Sequence, residues 1–196
     1  MKEAIKKAIE VLNNGGIILY PTDTIWGIGC DATNQQAVEK IYTLKQREDS
    51  KSLVVLAADL DMIAKYVKAI PEMAITLVEI TDKPLTIIYP DAITSSQGNG
   101  LAPNVVAEDN TVAIRVPMND FCTQLIRTFR KPIVSTSANI SGEKSPVHLK
   151  DVDPRISEAV DWTAVGSWDA GATGKASSII KLGMNSEVKI IREYHN

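Results

Sequence analysis

A short apolar run, Ile17-Ile18-Leu19-Tyr20, is cut off by Pro21. Proline has no N–H to give to a sheet ladder, so the chain is expected to leave the sheet there. Thr22, Asp23 and Thr24 crowd small polar groups into the exit, and Gly27 and Gly29 let backbone approach a ligand or another strand closely. Asp31, Thr33 or Asn34 can cap a helix whose apolar positions Ala37, Val38, Ile41 and Tyr42 recur at helical spacing, ending near Lys45-Gln46-Arg47. Lys45 and Arg47 share no helix face, so they converge on one ligand only where the helix unwinds. A strand end, a small-polar loop and a cationic turn are the parts of an anion-binding pocket. The same spacing fits, about equally, a tight strand–helix connection whose basic end is favoured by the helix dipole.

The rest of the chain is punctuated in the same way. Ala4, Ile5, Ala8, Ile9 and Leu12 form one helical stripe, stopped by Asn13-Asn14-Gly15-Gly16. Leu53-Val54-Val55-Leu56 reads as a buried strand, residues 59–67 as a short helix, and Pro71 opens another helix through Ile80. Leu85-Thr86-Ile87-Ile88-Tyr89 is a strand between prolines. Residues 91–110 are a long polar stretch with weak pattern, of a length that fits a lid. Over residues 111–116, Val112, Ile114 and Val116 alternate onto one face and Ala113 and Arg115 onto the other. Arg115 therefore faces solvent or a pocket, and alternation alone favours solvent.

Asn119 or Asp120 can cap a helix carrying Phe121, Leu125, Ile126 and Phe129. The strand Pro132-Ile133-Val134 then runs into Ser135-Thr136-Ser137-Ala138-Asn139, and ligands of α/β sheets commonly sit at such carboxyl ends. Residues 154–160 read as a short helix, 164–165 as a strand, 169–175 as a flexible connection, and 177–180 and 188–192 as closing strands. The stretch ending in Gly174-Lys175 is not a P-loop, because Asp169 stands in place of the first glycine and Ala176 in place of the hydroxyl residue.

With 196 residues, 44% of them hydrophobic and 23% charged, one compact domain over residues 1–196 is expected. The net charge of −3 excludes a basic footprint over the whole surface, although a focused basic cleft is compatible with it. Cys30 and Cys122 form no CxxC pair and are read as reduced, buried thiols. His148 and His195 cannot make a histidine metal cluster and are read as surface residues. No apolar run approaches the roughly 20 residues of a membrane span, and the charged opening lacks a signal-peptide core, so a cytoplasmic protein without membrane contact is expected.

Taken in order, Tyr20-Pro21-Thr22-Asp23-Thr24, Lys45-Gln46-Arg47, Ala113-Ile114-Arg115-Val116-Pro117 and Ser135-Thr136-Ser137-Ala138-Asn139 resemble the threonylcarbamoyl-AMP synthase family, the YrdC-like proteins, in its single-domain form. The resemblance covers nearly the whole chain. It implies an α/β fold: a single YrdC-like domain with a twisted, mostly mixed sheet and flanking helices around a concave cationic cavity. It implies a nucleotidyltransferase that joins L-threonine, bicarbonate or CO2 and ATP into threonylcarbamoyl-adenylate and pyrophosphate. Partner proteins would then transfer the threonylcarbamoyl group to tRNA, beside the anticodon.

By that resemblance Lys45, Arg47 and Arg115 are catalytic, and Thr24, Arg115 and Ser177 bind threonine. Lys45, Arg47, Lys51, Thr111, Ser135, Ser137, Asn139, Ser145 and Arg192 bind the nucleotide. Mg²⁺ would come with ATP, and no dedicated protein metal site is expected. Asp23 is a candidate proton acceptor. The chain departs from the family's usual pattern at Glu48, where proline usually follows K-x-R, and at Thr81-Asp82-Lys83-Pro84, in place of Trp-Pro-Gly-Pro. Lys51 and Leu56 replace asparagine and histidine. Other functions fit parts of the pattern: a paralogue with a different substrate, or a module that binds RNA, tRNA included, without chemistry. A serine hydrolase using Ser135 or Ser137 with Lys131 lacks both a nucleophile elbow and a His–Asp partner.

Overall fold

The computed structural model describes residues 1–46 and 53–193; Arg47, Glu48, Lys51 and His195 lie outside them. At Pro21 the chain turns back instead of leaving the sheet. β1 (Ile18–Pro21) and β2 (Trp26–Gly29) form an antiparallel hairpin in which Pro21 itself opposes Trp26. Proline is tolerated there because the Trp26 carbonyl, which a ladder N–H at position 21 would serve, accepts from the Ala138 amide at 2.9 Å, and the Trp26 N–H is given to the Pro146 carbonyl. Thr22 closes the turn: its hydroxyl lies 2.8 Å from the Ile25 carbonyl and accepts from the Thr24 and Ile25 amides at 3.1 and 3.3 Å. Gly29 permits the close approach that follows, since a Cβ there would stand 2.2 Å from the Val134 carbonyl oxygen.

The helices follow their caps. α1 (Lys2–Asn13) packs against β1 and α5 (Asp120–Phe129). α2 (Gln35–Lys45) starts at Asn34, whose side chain accepts from the Ala37 amide, and stops where Gln46 takes a left-handed conformation. α3 (Leu60–Ile63) is capped by Asp59, α4 (Glu72–Ile80) by Pro71, and α5 by Asn119, which accepts from the Cys122 amide. α6 (Pro154–Ser157) is shorter than its expected span.

The remaining strands are β3 (Val54–Leu56), β4 (Leu85–Tyr89), β5 (Val112–Arg115), β6 (Ile133–Ser137), β7 (Trp162–Thr163), β8 (Ser178–Leu182) and β9 (Val188–Arg192). The nine strands found among the described residues form one mixed sheet in the order β7-β1-β2-β6-β3-β5-β4-β8-β9. β7 lies two residues before the expected 164–165, where its parallel pairing to β1 ends.

Register sorts the two faces. Val134, Val55, Ile114, Ile87 and Ile180 form one continuous cross-strand row, and all but Ile180 are fully or almost fully buried. That row is the core face that the alternation in β5 predicts. Residues 91–110 are not a lid. Ala92, Leu101, Ala102 and Val105 are fully buried, the Ala102 amide donates to the Ala32 carbonyl, and Asn104 accepts from the Tyr42 hydroxyl. The polar composition of the stretch hides this scattered apolar anchorage. Cys30 and Cys122 are free and buried, and burial pushes both thiols up.

Candidate functional site

The opposite face of the sheet carries the polar row. Leu56, Arg115, Thr86, Ile179 and Arg192 stand side by side across β3, β5, β4, β8 and β9. A neighbouring row places Ser135 opposite Val54, and Ser137 opposes Gly27. Arg115, Ile179, Arg192, Ser135 and Ser137, with Thr22, Thr24, Ser145 and Ser177, border a cavity of about 260 Å³. Arg115 is thus on the pocket side of its strand, only 5% exposed, and the expectation of solvent is corrected. Alternation identifies the core face but does not say what covers the other.

Arg192 reaches the row through an irregularity. β8 and β9 pair Ile180 with Ile190 and Ile179 with Arg192, leaving Ile191 as the extra residue of a β-bulge. In a regular ladder Ile191 would stand opposite Ile179, and the arginine would turn to the other face.

The polar groups interlock. The Arg115 Nη1 donates to Asp23 Oδ1 at 2.6 Å, and Nη2 lies 3.5 Å from Thr24 Oγ1. The Thr22 and Thr24 hydroxyls are 2.7 Å apart. The Ser177 hydroxyl is 2.7 Å from that of Thr86, which is fully buried below it. Arg192 donates from Nε to the Ser177 carbonyl at 2.9 Å, with Nη2 3.5 Å from Ser177 Oγ. Partial burial, and secondarily the charge of Arg115, hold the Arg192 guanidinium below the usual arginine range.

The stretch read as a flexible connection, residues 169–175, is instead a strap over the hairpin turn. The Thr173 and Gly174 amides donate to the Asp23 and Thr24 carbonyls at 2.9 and 2.8 Å. Asp169 accepts from the Trp26 indole at 2.9 Å, and Trp168 stacks on Phe121 with ring centroids 5.1 Å apart. None of these partners is near in sequence, so no local pattern announces the strap.

Of the expected site residues, Thr24, Arg115, Ser135, Ser137, Ser145, Ser177 and Arg192 come together around the cavity. Lys45 lies behind them, 2% exposed, its ammonium donating to the Ser137 and Asn139 carbonyls and standing 3.5 Å from Ser137 Oγ. Asn139 is buried next to the cavity and closes its own loop, its amide donating to the Ile140 and Glu143 carbonyls. Thr111 precedes β5, at the end opposite Arg115, and its hydroxyl donates to Asp109.

Thr86 and Ile179 were not foreseen as parts of the site. The one signal for Thr86 was a lone hydroxyl within an apolar strand. Lys131 is paired with Asp31 at 2.7 Å and precedes β6, away from its serine end, so the serine–lysine hydrolase arrangement is not formed. Among the described residues no three His, Cys, Asp or Glu side chains are grouped to hold a metal, and no helix is long and apolar enough to cross a membrane.

Comparison with known proteins agrees with this fold. The sequence pattern of the Sua5/YciO/YrdC family, described as telomere recombination, matches residues 10–193. A threonylcarbamoyl-AMP synthase of Stenotrophomonas maltophilia is 32% identical over 166 residues, covering 82% of this chain and 86% of the relative. A putative threonylcarbamoyl-AMP synthase of Methanocaldococcus jannaschii is 34% identical over 188 residues, covering 92% and 83%. The structure of P. abyssi Sua5 complexed with L-threonine superposes with a TM-score of 0.80 at 28% identity over 91% of this chain. This chain spans about half the length of that P. abyssi protein, 50% of which is covered. The chain belongs to the Sua5/YciO/YrdC family.

Proposed function

We propose that this protein is a threonylcarbamoyl-AMP synthase, condensing L-threonine, bicarbonate or CO2 and ATP with release of pyrophosphate. Its product would then serve the proteins that build N6-threonylcarbamoyladenosine in tRNA. The observation that carries the reading is the convergence of two guanidiniums, Arg115 and Arg192, with the hydroxyls of Thr24, Ser135, Ser137, Ser145 and Ser177 around one cavity. The relatives named for this activity and the neighbour with bound L-threonine support it.

In this reading the guanidinium of Arg115 takes the carboxylate of threonine, a planar fork that lysine does not copy. The threonine amine bonds to the carbon of CO2, or of bicarbonate with loss of water, and gives up a proton to form the carbamate; its oxygen then attacks the α-phosphorus, the bond to pyrophosphate breaks, and negative charge grows on the phosphoryl oxygens. Arg192 and the hydroxyls of Ser135, Ser137 and Ser145 meet that charge as fixed donors, Arg47 and Lys51 are assigned to the phosphates by the family resemblance alone, and catalysis is positioning plus electrostatics without a covalent nucleophile. Lys45 contributes its charge from behind and fixes the Ser137–Asn139 backbone through two carbonyls. Thr111 and Asn139 complete the nucleotide side. Mg²⁺ would enter on the phosphates, held by their oxygens and water, which requires no carboxylate cage.

The test is formation of an AMP-containing product from ATP labelled at the α-phosphate, with each component omitted in turn. Product is expected only with L-threonine and bicarbonate both present. Product that persists without threonine, or none with all components present, contradicts the reading.

A further inference from the structure

Two guanidiniums share this cavity, and they differ in electrostatic state. Arg115 is ion-paired with Asp23 at 2.6 Å, with side-chain exposures of 5% and 9%. Arg192 touches the carbonyl and hydroxyl of Ser177, both neutral, and among the described residues no carboxylate lies within 4 Å of it. The Arg115–Asp23 pair is neutral as a unit, whereas Arg192 carries a full charge.

A neutral pair that retains free N–H donors suits a ligand whose own charges cancel or nearly cancel, such as an amino acid zwitterion. A polyanion on Arg115 would lie one guanidinium away from the Asp23 carboxylate, which does not line this cavity but is buried behind the arginine in low dielectric, where like-charge repulsion is strong. The uncompensated Arg192, with the Ser177 hydroxyl 3.5 Å from its Nη2, has no such neighbour and suits phosphate.

We propose that Asp23 is a specificity-determining residue, which neutralises Arg115 so that phosphate is refused there and the amino acid and the polyphosphate of ATP each occupy one arginine. This rests on the threonine reading and deepens it. Asp23 is held for the task by the strap, whose Thr173 amide donates to its carbonyl, while its carboxylate remains on the arginine.

The experiment measures the Kd of L-threonine by calorimetry, without turnover, in the absence and presence of saturating tripolyphosphate. It uses the wild-type protein, Asp23→Asn and Asp23→Glu. In the wild type, tripolyphosphate should change the threonine Kd by less than about twofold. In Asp23→Asn, where Arg115 becomes an open anion site, it should weaken threonine at least about tenfold, the scale of removing one close like-charge repulsion. Asp23→Glu should behave like the wild type. A role confined to supporting the fold would move threonine affinity without creating this competition.

Competition between tripolyphosphate and threonine in the wild type overturns the proposal even if neither variant folds, and so does its absence in a folded Asp23→Asn. A wild-type protein that binds tripolyphosphate but no threonine overturns the amino acid reading itself, a result distinct from either.

Discussion

Arg115 and Arg192 reach the same cavity from strands of opposite character. β5 is buried along its whole length, flanked by β3 and β4, and its arginine is oriented by ordinary alternation and fixed by a buried carboxylate. β9 is the last strand of the sheet, exposed along its whole length, and its arginine is turned inward by a single extra residue. The centre of the sheet places its charge by packing, and the margin places its charge by a local backbone defect. A change at the centre should therefore cost stability and function together, whereas a change at the margin should cost function alone.

The largest effect is expected for Arg115→Ala. It leaves Asp23 as a buried unpaired carboxylate, costing about 3–5 kcal/mol in denaturant unfolding. In protein that remains folded, kcat/KM for L-threonine should fall at least about 100-fold. A variant of unchanged stability would break the contrast. Gly29→Ala tests the rigidity of the centre without touching charge. Its new Cβ would meet the Val134 carbonyl at 2.2 Å, and a loss of about 3 kcal/mol is expected in the same measurement.

Arg192→Ala is the marginal counterpart. The KM for ATP should rise about tenfold, with that for threonine nearly unchanged. Its unfolding free energy should move by no more than about 0.5 kcal/mol, as for other exposed edge positions. The smallest effect is expected from deleting Ile191, because a regular ladder then places the arginine opposite Ile179 without a bulge. ATP KM should stay within about threefold of wild type if the bulge serves only to aim that side chain.

This contrast also explains what the sequence revealed. The strand Leu85–Tyr89 between its prolines, the caps offered at Asn34 and Asn119, and the serine-rich end of β6 are local signals, and each is found where its chemistry predicts. The hairpin at Pro21 is hidden because its tolerance depends on the Ala138 amide, far along the chain, serving the Trp26 carbonyl. The face of Arg115 was ambiguous because alternation cannot distinguish solvent from a pocket. Simple alternation puts Arg192 on the same face as Val188 and Ile190, and only the register shift reveals otherwise. The four motifs that resemble a known family supply what periodicity does not: they join Thr24, Arg115 and Ser137 into one site, as the cavity lining bears out.

The most direct test of the account is a crystal structure of the protein with L-threonine and a non-hydrolysable ATP analogue bound together. The account predicts the threonine carboxylate on Arg115 beside Thr24 and Ser177, with Arg115 still paired to Asp23. Phosphate oxygens are expected on Arg192 and none on Arg115, with Ser135, Ser137 and Ser145 in contact with the nucleotide. Phosphate oxygens on Arg115, or threonine bound away from the polar row, would contradict it.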